Sequence, residues 1–216
     1  MKKIGTQFIE TKRLLLRPFL ESDAQAMYDN WASRPDNLLH VTWDAHESPE
    51  VTKQSIARWV ENYQNMDFYK WAICLKENPD SVIGDISVVD MDEAVNACEV
   101  GYILSKDYWG QGLMTEALKA VLNNLLQDAG FNRVTAKFVT ANPASGRVMA
   151  KAGMSYEGTF RQAVFHKGQV KDVSVYGILK SDLKKARTLL SSLFTCAPFL
   201  KFYNRCIMTR RILCIR

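Results

Sequence analysis

Residues Glu99 to Glu116 read EVGYILSKDYWGQGLMTE. A strand-like run, Glu99 to Leu104, enters a Gly-x-Gly turn at Trp109-Gly110-Gln111-Gly112, and the turn opens directly into a helix-forming stretch from Leu113. Glycines permit φ values closed to other residues and let a ligand approach the main chain. The first-turn N–H groups of the helix then point outward at the positive end of its dipole. Such a turn holds a diphosphate without needing a lysine. It is not a P-loop, because no Gly-Lys-Ser/Thr follows. Nor is it a dinucleotide fingerprint, since a third glycine is missing and no βαβ unit opens the chain. A tight strand–helix turn with no ligand is the alternative that Gly-x-Gly alone leaves open.

A second cluster follows the next strand: Asn142-Pro143-Ala144-Ser145, then Lys151-Ala152-Gly153-Met154-Ser155-Tyr156-Glu157-Gly158. Upstream, Thr11 to Pro18 reads TKRLLLRP. In order, these are TxRLxLRP, Gly101-Tyr102-Ile103-Leu104, the WGxGxxTEA run from Trp109 to Ala117, N-x-x-S at 142–145, and GMxxEG at 153–158. Together they resemble the GNAT superfamily of acyl-CoA-dependent N-acetyltransferases, and within it the branch of ribosomal-protein N-terminal (Rim-type) acetyltransferases. The resemblance spans roughly residues 9–182.

The resemblance implies an α/β fold with a mixed, mostly antiparallel twisted sheet, helices on both faces, and a splay between two central strands. It implies acetyl-CoA as co-substrate, with no metal. Main-chain groups of Ile103, Leu104 and Ser105 would bind the pantetheine arm as an added strand. Gly110, Gln111, Gly112, Leu113, Met114 and Thr115 would hold the pyrophosphate, and Asn142 the inner part of the cofactor. Attack of a neutral amine on the thioester needs a base, dipoles for the oxyanion and an acid for the leaving thiolate. Ser145 matches the position that donates a hydroxyl to the sulfur; helix capping is its ordinary alternative. Glu99 is the candidate base, directly or through a water; a solvated carboxylate at a strand end is its alternative.

One departure matters. Where Rim-type members can carry a substrate-facing carboxylate after the Glu-Gly pair, this chain has Arg161-Gln162-Ala163-Val164-Phe165. Base duty then falls to Glu99, Asp85 or a water chain, with His40, His46 and His166 as runners-up. The acceptor is expected to be an amine, either a protein N-terminus such as that of a ribosomal protein or a small molecule (aminoglycoside, polyamine, amino acid). A CoA-binding module without transfer activity is the alternative from another class. Trp31, Trp43, Trp59, Tyr63 and Trp71 are expected in the core, Trp43 being best placed to line an acceptor groove.

The elements that must position these groups follow from pattern. Leu14 to Phe19 is a strand, and Ser22-Asp23 caps a short helix to about Trp31. Ser48-Pro49-Glu50 starts a second helix. Strands are expected at 68–75, 82–89 and 99–104, with turn chemistry at Glu77-Asn78-Pro79-Asp80 and a loop from Met91 to Asn96. A helix from Leu113 to Asp128, a strand at 134–139, a helix at 143–152 and strands near 159–165 and 173–179 complete the order. Short turns dictate antiparallel pairs, whereas the strand–helix–strand unit across 99–139 dictates a parallel one.

The chain has 216 residues, 47% hydrophobic and 24% charged, which fits one globular domain and excludes a mainly disordered protein. Its net charge of +5 is misleading about partners. Eight basic residues and no acid lie between Lys184 and Arg216, leaving 20 basic against 23 acidic residues in 1–183, a net of −3. No nucleic-acid partner is therefore expected. The start lacks a signal-peptide stretch, and five cysteines without zinc-ligand spacing fit reduced thiols, so a cytoplasmic protein is expected, monomer or homodimer. Two units follow, a GNAT-like domain at 9–182 and a basic, apolar extension at 183–216. Residues 186–200 are too short to span a bilayer; the extension either touches anionic lipid or has no role of its own.

Overall fold

Eight strands, four α-helices and a last helical stretch at 180–183 are found among residues 2–183, the residues that the computed structural model describes. The lipid-contact expectation for the extension lies outside them. Along the chain run β1 (Ile9–Glu10), β2 (Leu14–Arg17), α1 (Ala24–Met27), α2 (Pro49–Asn62), β3 (Lys70–Leu75), β4 (Asn78–Asp92) and β5 (Ala97–Leu104). Then come α3 (Leu113–Asn123), β6 (Arg133–Val139), α4 (Pro143–Ala152), β7 (Ser155–His166) and β8 (Gln169–Leu179). The strands form one sheet in the order β1-β2-β3-β4-β5-β6-β8-β7. Every adjacent pair is antiparallel except β5–β6, which the α3 crossover makes parallel. This is the mixed, mostly antiparallel α/β sheet that the motifs imply.

One face carries α1 and α2 over a core of Phe19, Met27, Trp31, Ile56, Ala72, Val82 and Ile103. On α3 the buried residues are Leu113, Met114, Ala117, Leu118, Val121 and Leu122, a stripe with helical period. Trp31 and Trp71 are fully buried, as expected of core aromatics. Cys74 and Cys98 are buried too; burial pushes their thiols up to about 11 and about 12, which leaves them as packing residues.

The sequence pattern misplaces some boundaries. β4 begins at Asn78, inside the expected turn, because Leu75 pairs with Asn78 across a two-residue connection. It also runs on to Asp92, and β7 starts at Ser155. The first helix is a single α turn between a 3-10 turn (Glu21–Asp23) and a π turn (Tyr28–Ala32). Its start is not built as a Ser22 cap. Asp23 instead reaches back to accept the Leu20 N–H at 2.7 Å. β7, at the sheet's rim, breaks register between Phe160 and Val164, with Gln162 at φ 50°.

Arg17 and Asp23 form a two-pronged pair, both contacts 2.8 Å, and their side chains keep only 8% and 2% of their exposure. The adjacent Asp23 carboxylate holds the Arg17 guanidinium pKa above its ordinary value. Asp23→Ala strands that guanidinium in the core. It is expected to destabilise the domain by about 3–5 kcal/mol, measured as a shift in urea midpoint. A loss under about 1 kcal/mol would show that water reaches the pair.

Candidate active site

The β5–β6 ladder is short. Ala97–Arg133, Cys98–Val134, Glu99–Thr135 and Val100–Ala136 are paired, and there the two strands part. Gly101 to Leu104 stay bonded to β4, and Lys137 to Val139 stay bonded to β8. A gap therefore opens inside the sheet beside residues 101–104. Its β5 wall can be resolved by alternation. Ser105 donates its N–H to the Ile83 carbonyl at 2.8 Å, so Ile103 also faces β4, while Tyr102 and Leu104 turn their amide groups to the gap. Of the expected trio, Leu104 thus presents the free N–H. Its carbonyl accepts from Asn37 Nδ2 at 3.1 Å and Trp109 Nε1 at 2.8 Å. Ser105 Oγ is sealed from solvent with no hydrogen-bond partner among the described residues.

Beyond the mouth of the gap, Gly110 and Gly112 both sit at φ 76°, and Gly112 precedes the first residue of α3. Among the described residues no side chain caps the helix, and its first bond runs from the Glu116 N–H to the Gly112 carbonyl. A Cβ at Gly110 would meet nothing within 4 Å. The turn is thus an open cradle of outward N–H groups, which fits a diphosphate.

What holds the cradle is a clamp from the chain's start. Glu116 Oε1 accepts from the Thr11 hydroxyl at 2.7 Å and the Arg13 N–H at 2.8 Å, and Oε2 accepts from Arg13 Nε at 2.8 Å. Arg13 Nη1 also reaches the Gln111 carbonyl at 2.9 Å. Partial burial pushes the Glu116 carboxyl up, but these donors outweigh it and hold it below its ordinary value. The motifs at 11–18 and 109–117 are therefore two halves of one contact.

On the far side of the gap, Asn142 Nδ2 donates to Ser145 Oγ at 3.0 Å, which leaves the hydroxyl hydrogen free to be given elsewhere. The Asn142 amide is thus turned to Ser145. The Tyr102 hydroxyl crosses from β5 to the Ser145 carbonyl at 3.0 Å. α4 lies against β6 at Gly146, where a Cβ would stand 2.6 Å from the Phe138 ring. Glu99 emerges on the opposite face, that of Ile103, because odd-numbered residues of β5 share a face. It is 19% exposed and ion-paired to Lys137 Nζ at 2.5 Å.

Sequence reasoning missed Lys137 and the Tyr102 hydroxyl. The Gly-Tyr-x-Leu motif was a signal for the second; nothing in the sequence marks the first. Asp85 is buried, with its Oδ1 2.9 Å from Lys70 Nζ, and that ammonium lies 4.1 Å from the Trp59 ring centroid. The histidines sit apart from Glu99 in bonding. His46 Nδ1 contacts Thr52 Oγ1 at 2.7 Å, and His166 Nε2 contacts the Val41 carbonyl at 3.0 Å. Burial and the neighbouring His166 lower the His40 pKa. Trp43 packs against the α1–α2 core and lies 5.3 Å from the His46 ring.

Comparison with known proteins agrees with this geometry. The family model described as acetyltransferase (GNAT) domain matches residues 13–155. The N-acetyltransferase YoaA of Bacillus subtilis (strain 168), itself uncharacterized, is 28% identical over 172 residues, covering 80% of this chain and 96% of the relative. The ribosomal-protein-serine acetyltransferase of Escherichia coli (strain K12) is 30% identical over 130 residues, 60% of this chain and 71% of the relative. The fold is shared with RimL, a ribosomal L7/L12 alpha-N-protein acetyltransferase solved in complex with coenzyme A. There the TM-score is 0.71 at 22% identity, over 80% of this chain and 98% of that one.

Two variants test the cradle. Gly112→Val puts a β-branched side chain at φ 76° and into the anion's space, so the acetyl-CoA dissociation constant is expected to rise at least ~10-fold by calorimetry. Unchanged affinity would move the diphosphate elsewhere. Glu116→Gln tests the clamp through pH. A carboxyl with a lowered folded-state pKa stabilises fully above its unfolded value, and that stabilisation is lost as pH falls through the folded value. The parent should therefore exceed Glu116→Gln in urea stability near neutrality and converge with it in acid. Parallel curves would deny the carboxylate its anchoring role. With the open strand pair, the anion cradle and the match over 13–155 in hand, the chain belongs to the GNAT family of acetyltransferases.

Proposed function

We propose that the protein acetylates the N-terminal amine of a protein chain, by direct attack of that amine on acetyl-CoA lodged between β5 and β6. The observation that carries the mechanism is the parting of the strands after Val100–Ala136, next to an uncapped helix start. When bound, acetyl-CoA supplies an acetyl group activated as a thioester. The N–H groups of residues 110–115 grip its diphosphate, and the gap-facing amides of Tyr102 and Leu104 take up the arm in the manner of an added strand.

Glu99 and Ser145 then divide the proton work by side. Glu99 lies on the α1–α2 face and takes the proton of the incoming ammonium. Ser145 lies on the α4 face, where its free hydroxyl hydrogen is available to the departing sulfur. Base and acid on opposite sides of the gap let the amine enter from one face while the thiol leaves toward the other. The choice of a protein acceptor is supported by the E. coli relative, whose name gives a ribosomal protein as its substrate, and that of its N-terminus by RimL, which is named an alpha-N-protein acetyltransferase.

Thiol release should be measured with peptides bearing free N-termini, a lysine side-chain amine, a polyamine and an aminoglycoside. The N-terminal peptides are expected to show the highest kcat/KM, by about 10-fold or more. A small amine that outruns every peptide would overturn the acceptor assignment. Ser145→Ala is expected to lower kcat at least ~10-fold with little change in the KM for acetyl-CoA; a parental rate would remove Ser145 from the acid role.

A further inference from the structure

The Lys137–Glu99 contact has the form of the productive encounter itself. Lys137 is the first β6 residue beyond the last β5–β6 pair, so it stands at the vertex of the gap. Its Nζ is 2.5 Å from the carboxylate proposed as the base, where an acceptor ammonium has to arrive. The side chain is 48% exposed and flexible enough to swing toward the gap. Lys3–Glu93, Lys106–Asp36 and Lys76–Glu10 are also paired, but they lie on strand ends, loops and the β1 rim.

From this we infer that Lys137 is an acceptor in its own right: with no external amine present, the protein acetylates its own Lys137 side chain. The inference rests on the proposed roles of Glu99 and the gap. The ammonium of Lys137 gives one proton to Glu99, which passes it to solvent. The neutral Nζ forms a bond to the thioester carbonyl carbon, and the carbon–sulfur bond breaks. The second proton lost by the nitrogen ends on the CoA sulfur. The products are an acetamide on Lys137, free CoA thiol and one released proton. In the resting ion pair Glu99 holds Lys137 as an ammonium, and the amine becomes a nucleophile only as it hands that proton to Glu99 beside the thioester.

The full chain is incubated with acetyl-CoA and no amine, and the acetyl increment is followed by intact mass and located by peptide mapping. Lys137 is expected to be the fastest-modified lysine, at a rate independent of protein concentration and slowed about 10²-fold or more in Glu99→Gln. In Lys137→Arg the fast phase should vanish. A readout without acetyl-CoA is competitive labelling by an amine-reactive reagent, in which Lys137 should react faster in Glu99→Gln than in the parent because its partner is gone. Acetylation spread evenly over surface lysines, a rate proportional to protein concentration, or equal labelling in parent and variant would each overturn the inference. If Lys137 stays unmodified while peptides still turn over, only this inference falls. If acetyl-CoA does not bind by calorimetry, the proposed function falls with it.

Discussion

A sheet cannot leave main-chain N–H and C=O groups unpaired in its interior without cost, because each is a strong polar group that needs a partner. At the centre of this sheet that rule is suspended for a few residues. Past Val100 and Ala136 each strand keeps its outer neighbour and gives up its inner one. The groups of Tyr102 and Leu104 that face inward are therefore partnered by something other than the sheet. The rest of the architecture serves that opening. The α3 crossover makes the central pair parallel, the glycine turn places a helix start at its mouth, and α4 lies along its far wall.

The opening would be useless if its surroundings were loose. Two contacts keep them in place, and neither involves reacting atoms. Glu116 joins the first turn of α3 to Thr11 and Arg13, tying the anion cradle to the β1–β2 rim. The Tyr102 hydroxyl joins β5 to α4 across the gap, so the wall that carries Ser145 is braced against the wall that offers main-chain amides. The first is charge-assisted and the second half-buried, which makes each stronger than an exposed, neutral hydrogen bond.

Much of this was legible beforehand, for reasons that differ by residue. The Gly110–Gly112 turn and the helix after it were visible because unusual φ and helical period leave marks in a single segment. The splay was not visible from any local pattern; it followed from the family resemblance. β4 was cut short because Asn78, Pro79 and Asp80 look like a turn, while cross-strand pairing to Leu75 makes Asn78 a strand residue. The π turn at Tyr28–Ala32 escaped because a π turn has no compositional signature of its own. Lys137 stayed hidden for the plainest reason: its partnership with Glu99 spans a parallel pair of strands 38 positions apart in sequence, and only register brings them together.

The rims of the sheet give its interior gap a further meaning. β1 is two residues long, and β7 is broken by the shift between Phe160 and Val164. Short or kinked borders make poor templates for a neighbouring chain. Such a sheet discourages uninvited strands along its perimeter while keeping one opening at its heart, and so the hydrogen-bonding appetite that drives aggregation elsewhere is turned inward, toward the proposed cofactor.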